Sequence, residues 1–257
     1  RDIREQLVRT GHVDVMVSVG NNFFYTKSLP CSLWFYDKGK TAATRDRVLL
    51  IDARSYYTVV DRTLNEWSEW QLRNLTAIVW LYRGEQEKYT ALLAAYRAAL
   101  GSDAAFDVQV QEITAQIEEL RTEAKAAVDA APRRERKKTQ AAYDVRIAAL
   151  TERRTTAEEA LWLYEKFGEG EYRDVLGLCK VAYTTEEARG ADVDGVSIEG
   201  RGWSLTPGAY VGVAPTEDDG VDFAARMTEI HQELVTLQAE SNELMATISK
   251  NMWEMGL

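Results

Sequence analysis

Few residues of this 257-residue sequence are of the types that do chemistry, and their spacing excludes most reactions. Only two histidines, His12 and His231, are present, so a multi-histidine metal site is out of reach, and neither stands at ligand spacing from other donors. Cys31 and Cys179 form no CxxC pair and lack the dense, even spacing of a disulfide framework; both read as reduced core residues. Nucleophilic catalysis needs a nucleophile beside its base, but there is no G-x-S-x-G elbow and Cys31 has no evident histidine partner. The only GxG triplets are Gly168-Glu169-Gly170 and Gly200-Arg201-Gly202. Neither follows an apolar strand or opens a helix, as a dinucleotide loop must, and there is no P-loop. Taken by themselves, the residues make no complete catalytic constellation. One charge feature stands out: Arg133, Arg134, Arg136, Lys137 and Lys138 surround Glu135 for a net +4 in six residues. This is either a solvated turn whose like charges stay apart in water, or a contact for phosphate or an acidic partner held away from the body.

The elements that would position these residues belong to a globular chain. Apolar residues make up 46%, aromatic residues 10% and charged residues 28%, which excludes wholesale disorder and allows one large or two modest domains. With 31 Lys+Arg against 41 Asp+Glu, the net charge of −10 argues against a general nucleic-acid binder. Most of the acidity sits between Glu217 and Leu257, where nine acidic and two basic residues leave −7. No apolar run approaches the roughly 18–20 residues of a membrane span, and Arg1-Asp2-Ile3-Arg4-Glu5 is not a secretory leader, so a cytoplasmic protein with no membrane contact is expected.

A short helical end at Arg4–Arg9 is followed by three near-continuous apolar runs, Val13–Val19, Ser32–Tyr36 and Arg47–Asp52, which predict strands buried on both faces of an α/β sheet. The turn signal Asp37-Lys38-Gly39-Lys40 suggests that the second and third form an antiparallel hairpin at a sheet edge. Helical spacing runs from Leu64 to Arg83. Val110, Ile113, Ile117, Leu120, Ala124 and Ala127, then Tyr143, Ile147, Leu150, Arg154, Ala157, Leu161 and Tyr164, alternate steps of three and four. Two such seams flanking Pro132 predict a coiled-coil helical hairpin with arms roughly 37 Å long. Turn-rich sequence follows Gly168. A final helix is expected from an Asp222 N-cap, with Phe223, Met227, Ile230, Leu234, Leu237, Ser241, Leu244 and Ile248 as one narrow apolar stripe. Such a stripe requires a partner helix, in this chain or in another.

The segment Val15–Lys38, with Val48-Leu49-Leu50-Ile51-Asp52-Ala53-Arg54 and Ile78–Glu85, resembles the later half of the methyltransferase domain in the modification subunit of type I restriction-modification systems. Gly177–Ala182 and Trp203-Ser204-Leu205-Thr206-Pro207-Gly208-Ala209-Tyr210-Val211-Gly212 are similar to the same family's C-terminal region. The resemblance covers about residues 1–86 and 170–257. It implies an α/β plus α protein: residues 1–86 as the C-terminal strands of a Rossmann-like methyltransferase sheet, 87–169 as an inserted coiled-coil arm, 170–221 as a turn-rich connection and 222–257 as a partner-binding helical tail. The implied activity of the whole protein is S-adenosyl-L-methionine-dependent methylation of adenine N6 in double-stranded DNA. The implied partners are a specificity subunit and, through the complex, a restriction subunit. The family's Asn-Pro-Pro-Phe/Tyr motif is missing, since the four prolines include no adjacent pair, and so is its cofactor loop. With Arg1 falling in the middle of the domain, the expectation is a C-terminal portion that is inactive by itself, its cofactor site upstream. The position matching the family's base-stacking Phe is Phe24, with Phe23 beside it. Packing under the sheet edge is the alternative role; it is the better reading for Phe23, while for Phe24 packing and base stacking stand even. The resemblance implies nothing for the arm, and for the tail it implies docking on the specificity subunit. The competing reading is a non-enzymatic scaffold on a degenerate α/β base.

Overall fold

The computed structural model describes residues 1–24, 27–190 and 195–214, with scattered helical residues between 227 and 245. They fall into two units, Arg1–Ala214 and Pro215–Leu257. The first unit opens with helix α1 (Asp2–Arg9) and strands β1 (Val13–Val19), β2 (Cys31–Tyr36) and β3 (Arg47–Ala53), followed by the short antiparallel pair β4 (Thr58–Val59) and β5 (Asn65–Glu66). Helices α2 (Glu69–Tyr82), α3 (Gln86–Leu100), α4 (Phe106–Ala130) and α5 (Arg136–Phe167) follow, then β6 (Cys179–Tyr183), α6 (Glu186–Arg189) and a 3-10 turn at Pro207–Ala209.

The main sheet has the order β2-β1-β3-β6, with β1 and β3 parallel and the outer strands antiparallel to them. Every residue of β1 and all of β3 except Arg47 are buried, as expected of near-continuous apolar runs covered on both faces. Val15, Val17, Leu49 and Ile51 face a core shared with α2, α3, α4 and α5. Met16, Val48 and Leu50 face Val8 of α1 together with Ile198, Trp203, Leu205 and Tyr210. The late Trp203–Gly212 segment thus covers one face of the sheet built by the early strands.

Two expectations about β2 are corrected. The hairpin of the second and third runs does not form, because β1, which is buried along its whole length, lies between them. The connection from β2 instead passes beneath the start of β1. The Asp37 carboxylate accepts the Gly39 N–H at 2.7 Å, and the buried Lys40 ammonium donates to the carbonyls of Val13 at 2.7 Å and Arg47 at 2.5 Å, 3.8 Å from the Asp14 carboxylate. Lys40 therefore ties the first residues of the two parallel strands together. Burial lowers its pKa, opposed chiefly by Asp14. Nor is β2 buried on both faces: as the outer strand it leaves Leu33, Trp34, Phe35 and Tyr36 exposed.

The helix expected from Leu64 begins at Glu69. Ser68 and Gln71 form a capping box there, while the Leu64 carbonyl instead accepts the N–H groups of Val60 and Asp61 in the turn before β5. Helix α3 ends at Gly101 in the left-handed conformation, φ 62°. Helices α4 and α5 pack together across the turn containing Pro132. Ile113, Ile117, Leu120, Ala124 and Ala157 are buried, with Ile147, Leu150 and Leu161 half-buried along the same faces. In the second unit the described residues are helical and exposed, among them Met227, Ile230, Leu234, Leu237 and Leu244. The Asp222 cap, Phe223 and Ile248 lie outside the described residues.

Candidate functional site

The parallel strands β1 and β3 end on the same side, where α/β sheets place their ligands. Gly20 follows β1 directly. A Cβ there would sit 2.8 Å from the Arg54 carbonyl oxygen and 3.3 Å from the Tyr57 ring, so only glycine lets the two strand ends approach. The chain then turns through Asn22 in the left-handed region, φ 62°, which asparagine tolerates. Buried Asn65 holds this turn: its backbone N–H donates to the Asn22 carbonyl at 2.8 Å and its side-chain amide to the Asn21 carbonyl at 3.0 Å.

Phe23 and Phe24 leave this turn in different environments. The Phe23 ring packs edge-on against Tyr57, centroids 5.9 Å apart, and tilted against Trp67 at 4.9 Å. Trp67 is fixed in turn by its indole N–H donating to the Tyr56 carbonyl at 2.7 Å. Phe24 is 49% exposed, its backbone bridged to Lys27. A turn clamped on one side by Asn65 and anchored by the packed Phe23 thus leaves the Phe24 side chain half-exposed beside it.

The floor beside this turn is polar. Asp52, buried at the end of β3, accepts the Arg54 Nε at 2.8 Å and Nη2 at 2.6 Å, which raises the Arg54 pKa mainly through that hydrogen bonding. A Cβ on Gly208 would lie 2.5 Å from Arg54 Nη2 and 3.0 Å from Asp52 Oδ2, so the Thr206-Pro207-Gly208 turn rests on the ion pair. These strand ends enclose a cavity of about 560 Å³ lined by Gly20, Asn21, Asp52, Arg54, Tyr57 and Gly212. Of the residues here, the Gly20-Asn21-Asn22 turn carried a sequence signal, while Asn65, Asp52 and Arg54 carried none that pointed to one site.

A second, apolar cavity of about 320 Å³ lies between the sheet and α2, lined by Val15, Val17, Leu33, Phe35, Leu72 and Trp80. Beneath α2 a polar network joins the site to the base of α5. The Tyr56 hydroxyl donates to Glu159 Oε2, Gln71 Nε2 donates to Glu159 Oε1 at 3.0 Å, and Asn74 Nδ2 donates to the Tyr56 hydroxyl at 2.9 Å and the Glu159 carbonyl at 3.0 Å. The Tyr96 hydroxyl completes it on Asn74 Oδ1 at 2.8 Å, and the Tyr56 ring stacks on Trp162 at 4.0 Å. Burial raises the Glu159 pKa against the pull of its three donors. Tyr56 adjoins Tyr57, the partner of Phe23, so the network ties the arm to the aromatic turn.

The other singled-out residues stand apart from this site. Arg133, Arg134, Arg136, Lys137 and Lys138 lie at the turn between α4 and α5, exposed, and no hydrogen bond, ion pair or ring contact joins them to Phe23 or Phe24 among the described residues. Met227, Ile230, Leu234, Leu237 and Leu244 belong to the second unit. The GxG triplets are filled by protein: a Cβ on Gly170 would strike the Tyr89 ring at 2.8 Å, and one on Gly200 would strike Glu186 Oε1 at 2.3 Å. Neither triplet therefore offers a cofactor loop. No described helix is long and apolar enough to cross a membrane.

The family model of N-6 DNA Methylase matches residues 1–129, half of the chain. Over 85 residues, 33% of this chain and 17% of the relative, the sequence is 41% identical to the methylase subunit of the type I restriction enzyme HindI of Haemophilus influenzae. Over 255 residues, 99% of this chain and 29% of the relative, it is 21% identical to the methylase subunit of the type I restriction enzyme MjaIX of Methanocaldococcus jannaschii. A crystal structure of a type I restriction-modification methyltransferase subunit from Streptococcus thermophilus matches 30% of this chain and 16% of its own at 22% identity, with a TM-score of 0.27. The chain thus spans less than a third of the length of the curated relatives it matches. With the family match lying over β1, β2, β3 and the turn that presents Phe24, the chain belongs to the N-6 DNA methylase family.

Proposed function

We propose that this chain is the C-terminal portion of the modification subunit of a type I restriction-modification system. The whole protein, on this reading, transfers the methyl group of S-adenosyl-L-methionine to adenine N6 in double-stranded DNA, working with a specificity subunit and, through the complex, a restriction subunit. Residues 1–86 supply the last strands of a Rossmann-like sheet, 87–169 a coiled-coil arm, 170–221 the connection that seats on the strand ends, and 222–257 the helical tail. The cofactor loop and the Asn-Pro-Pro motif belong to the part of the relatives that this chain does not span, and the chain alone is catalytically silent.

The observation that carries this reading is the open side of the sheet. Strand β2 exposes Leu33, Trp34, Phe35 and Tyr36 next to β1, which is buried throughout, and Leu33 and Phe35 also line the apolar cavity against α2. Apolar surface of this kind at a sheet edge calls for further strands and a helix, which the rest of a methyltransferase would provide. Within the chain, Phe24 stacks on the extruded adenine, and the stripe Phe223, Met227, Ile230, Leu234, Leu237, Leu244 and Ile248 docks on the specificity subunit. The test is incorporation of tritium from labelled S-adenosylmethionine into adenine N6 of duplex DNA by the full-length protein with its specificity subunit. Methylated adenine is expected from that assembly and none from residues 1–257 alone. Absence of product from the full assembly overturns the reading in favour of a scaffold.

A further inference from the structure

We infer that the tip of the α4–α5 arm grips the phosphate backbone of double-stranded DNA outside the stretch that is methylated; this rests on the reading above that the whole protein acts on DNA. The arm is a projecting element. Leu120 and Ala124 are buried outside the main core cluster, along the α4–α5 seam, and among the described residues the hydrogen bond from α5 to the body nearest the tip is that of Arg153, whose guanidinium donates to the Leu100 carbonyl at the end of α3. From there to Arg136 is about seventeen residues, or roughly 26 Å of helix. In a chain of net charge −10, this projection ends in five cations and one carboxylate.

None of the five takes part in an ion pair among the described residues. Arg136 donates to the carbonyls of Ala131 and Asp129, which fixes the turn while its charge stays uncompensated, and the other four are exposed without a carboxylate partner. Their placement is also electrostatically unfavourable in the free protein. The first turn of α5 has no acidic residue, so Arg136, Lys137 and Lys138 crowd the positive end of a 32-residue helix dipole, where the N-cap Glu135 is the one carboxylate set against five cations, whereas α2, α3 and α4 carry Glu69, Glu87 and Asp107 within their first turns. A turn that only has to stay in water gains nothing from this arrangement. An approaching row of phosphates gains from every one of the charges and from the helix end as well. The family model's match, residues 1–129, ends with α4, just short of the tip.

The test uses the full-length protein assembled with its specificity subunit and two duplexes carrying the same recognition site, one trimmed to the site and one extended by about 15 base pairs on each side. An arm of 26–37 Å spans roughly 8–11 base pairs at 3.4 Å each, so only the longer duplex reaches the tip. The quintuple variant R133Q/R134Q/R136Q/K137Q/K138Q is compared with wild type by fluorescence anisotropy over a salt series. On the long duplex the variant is expected to bind at least tenfold more weakly near 0.1 M salt, with the slope of log K against log salt reduced by about 4 to 5, from about 0.9 for each of the five lost phosphate contacts. On the short duplex it matches wild type, and its methylation rate at saturating DNA is unchanged. Equal affinity and slope on the long duplex overturn the inference. So does an equal loss on both duplexes, or a variant that fails to assemble with the specificity subunit, which would make the tip a contact for an acidic protein surface. Wild type that binds but methylates neither duplex counts against the proposed function and leaves the binding comparison readable.

Discussion

Replacing Glu159 by alanine probes the link between the arm and the aromatic turn. The substitution removes the acceptor of the Tyr56 hydroxyl and of Gln71 Nε2, whereas Asn74 keeps the Tyr56 oxygen and the Glu159 carbonyl. Each buried donor left without an acceptor costs about 1–3 kcal/mol. Relief of the buried carboxylate's desolvation offsets part of that, so a net loss of about 3 kcal/mol is expected, or roughly 6–12 °C in Tm for a chain of this size. The pH dependence has a definite sign. Burial holds the Glu159 pKa above its ordinary 4.5, so the folded chain binds this proton more tightly than the unfolded one. The side chain's contribution is therefore greatest below 4.5 and falls as pH rises through the raised folded value. The alanine variant has lost this dependence, so its deficit is larger near pH 5 than near pH 7.5. Urea denaturation of the chain, followed by tryptophan fluorescence with Trp162 stacked on Tyr56 as reporter, measures both quantities. A deficit below about 1 kcal/mol, or one that grows with pH, refutes the reasoning.

Two further outcomes follow from the same structure. Cys179 is fully buried and its thiol is pushed up to about 12 by that burial, so a thiol reagent near pH 8 should label Cys31 alone in the folded chain and both cysteines in urea; equal labelling rates without urea would contradict the packing. Light scattering after size exclusion should find a stable complex of the chain with its specificity subunit that disappears when residues 222–257 are deleted, and a complex that survives the deletion would remove the docking role of the tail.

The parts of this molecule that were legible in the sequence are those written in local periodicity. Val13–Val19 and Arg47–Ala53 are near-continuous apolar runs and form the buried parallel pair, and the three-four spacing around Pro132 marks α4 and α5. Strand neighbours are not local information. A turn signal at Asp37–Lys40 says that the chain reverses, but not that Lys40 carries it beneath β1 by binding the carbonyls of Val13 and Arg47. The start of α2 depended on a cap, Ser68 with Gln71, that apolar spacing from Leu64 overrides on paper and not in the fold. At the site, Phe23 and Phe24 are identical in type and adjacent, and their separate environments come from Tyr57 and Trp67, which are more than thirty positions away. The Glu159 network was invisible for the same reason, since Tyr56 and Glu159 are 103 positions apart. Arg54 and Gly208 both stand in segments that carry the family resemblance, yet nothing in the sequence says that they meet, since more than 150 positions separate them.

The claim on which the account rests most heavily is that the exposed Phe24 ring receives the target adenine. Its direct test is the initial rate of methyl transfer to adenine N6 by the full-length protein with its specificity subunit, wild type against Phe24→Ala. Stacking of one base on an aromatic ring is worth about 1–3 kcal/mol, so the rate should fall by roughly 5- to 150-fold with the thermal midpoint unchanged, while Phe23→Ala lowers the midpoint instead. A Phe24→Ala rate within about twofold of wild type would contradict the account.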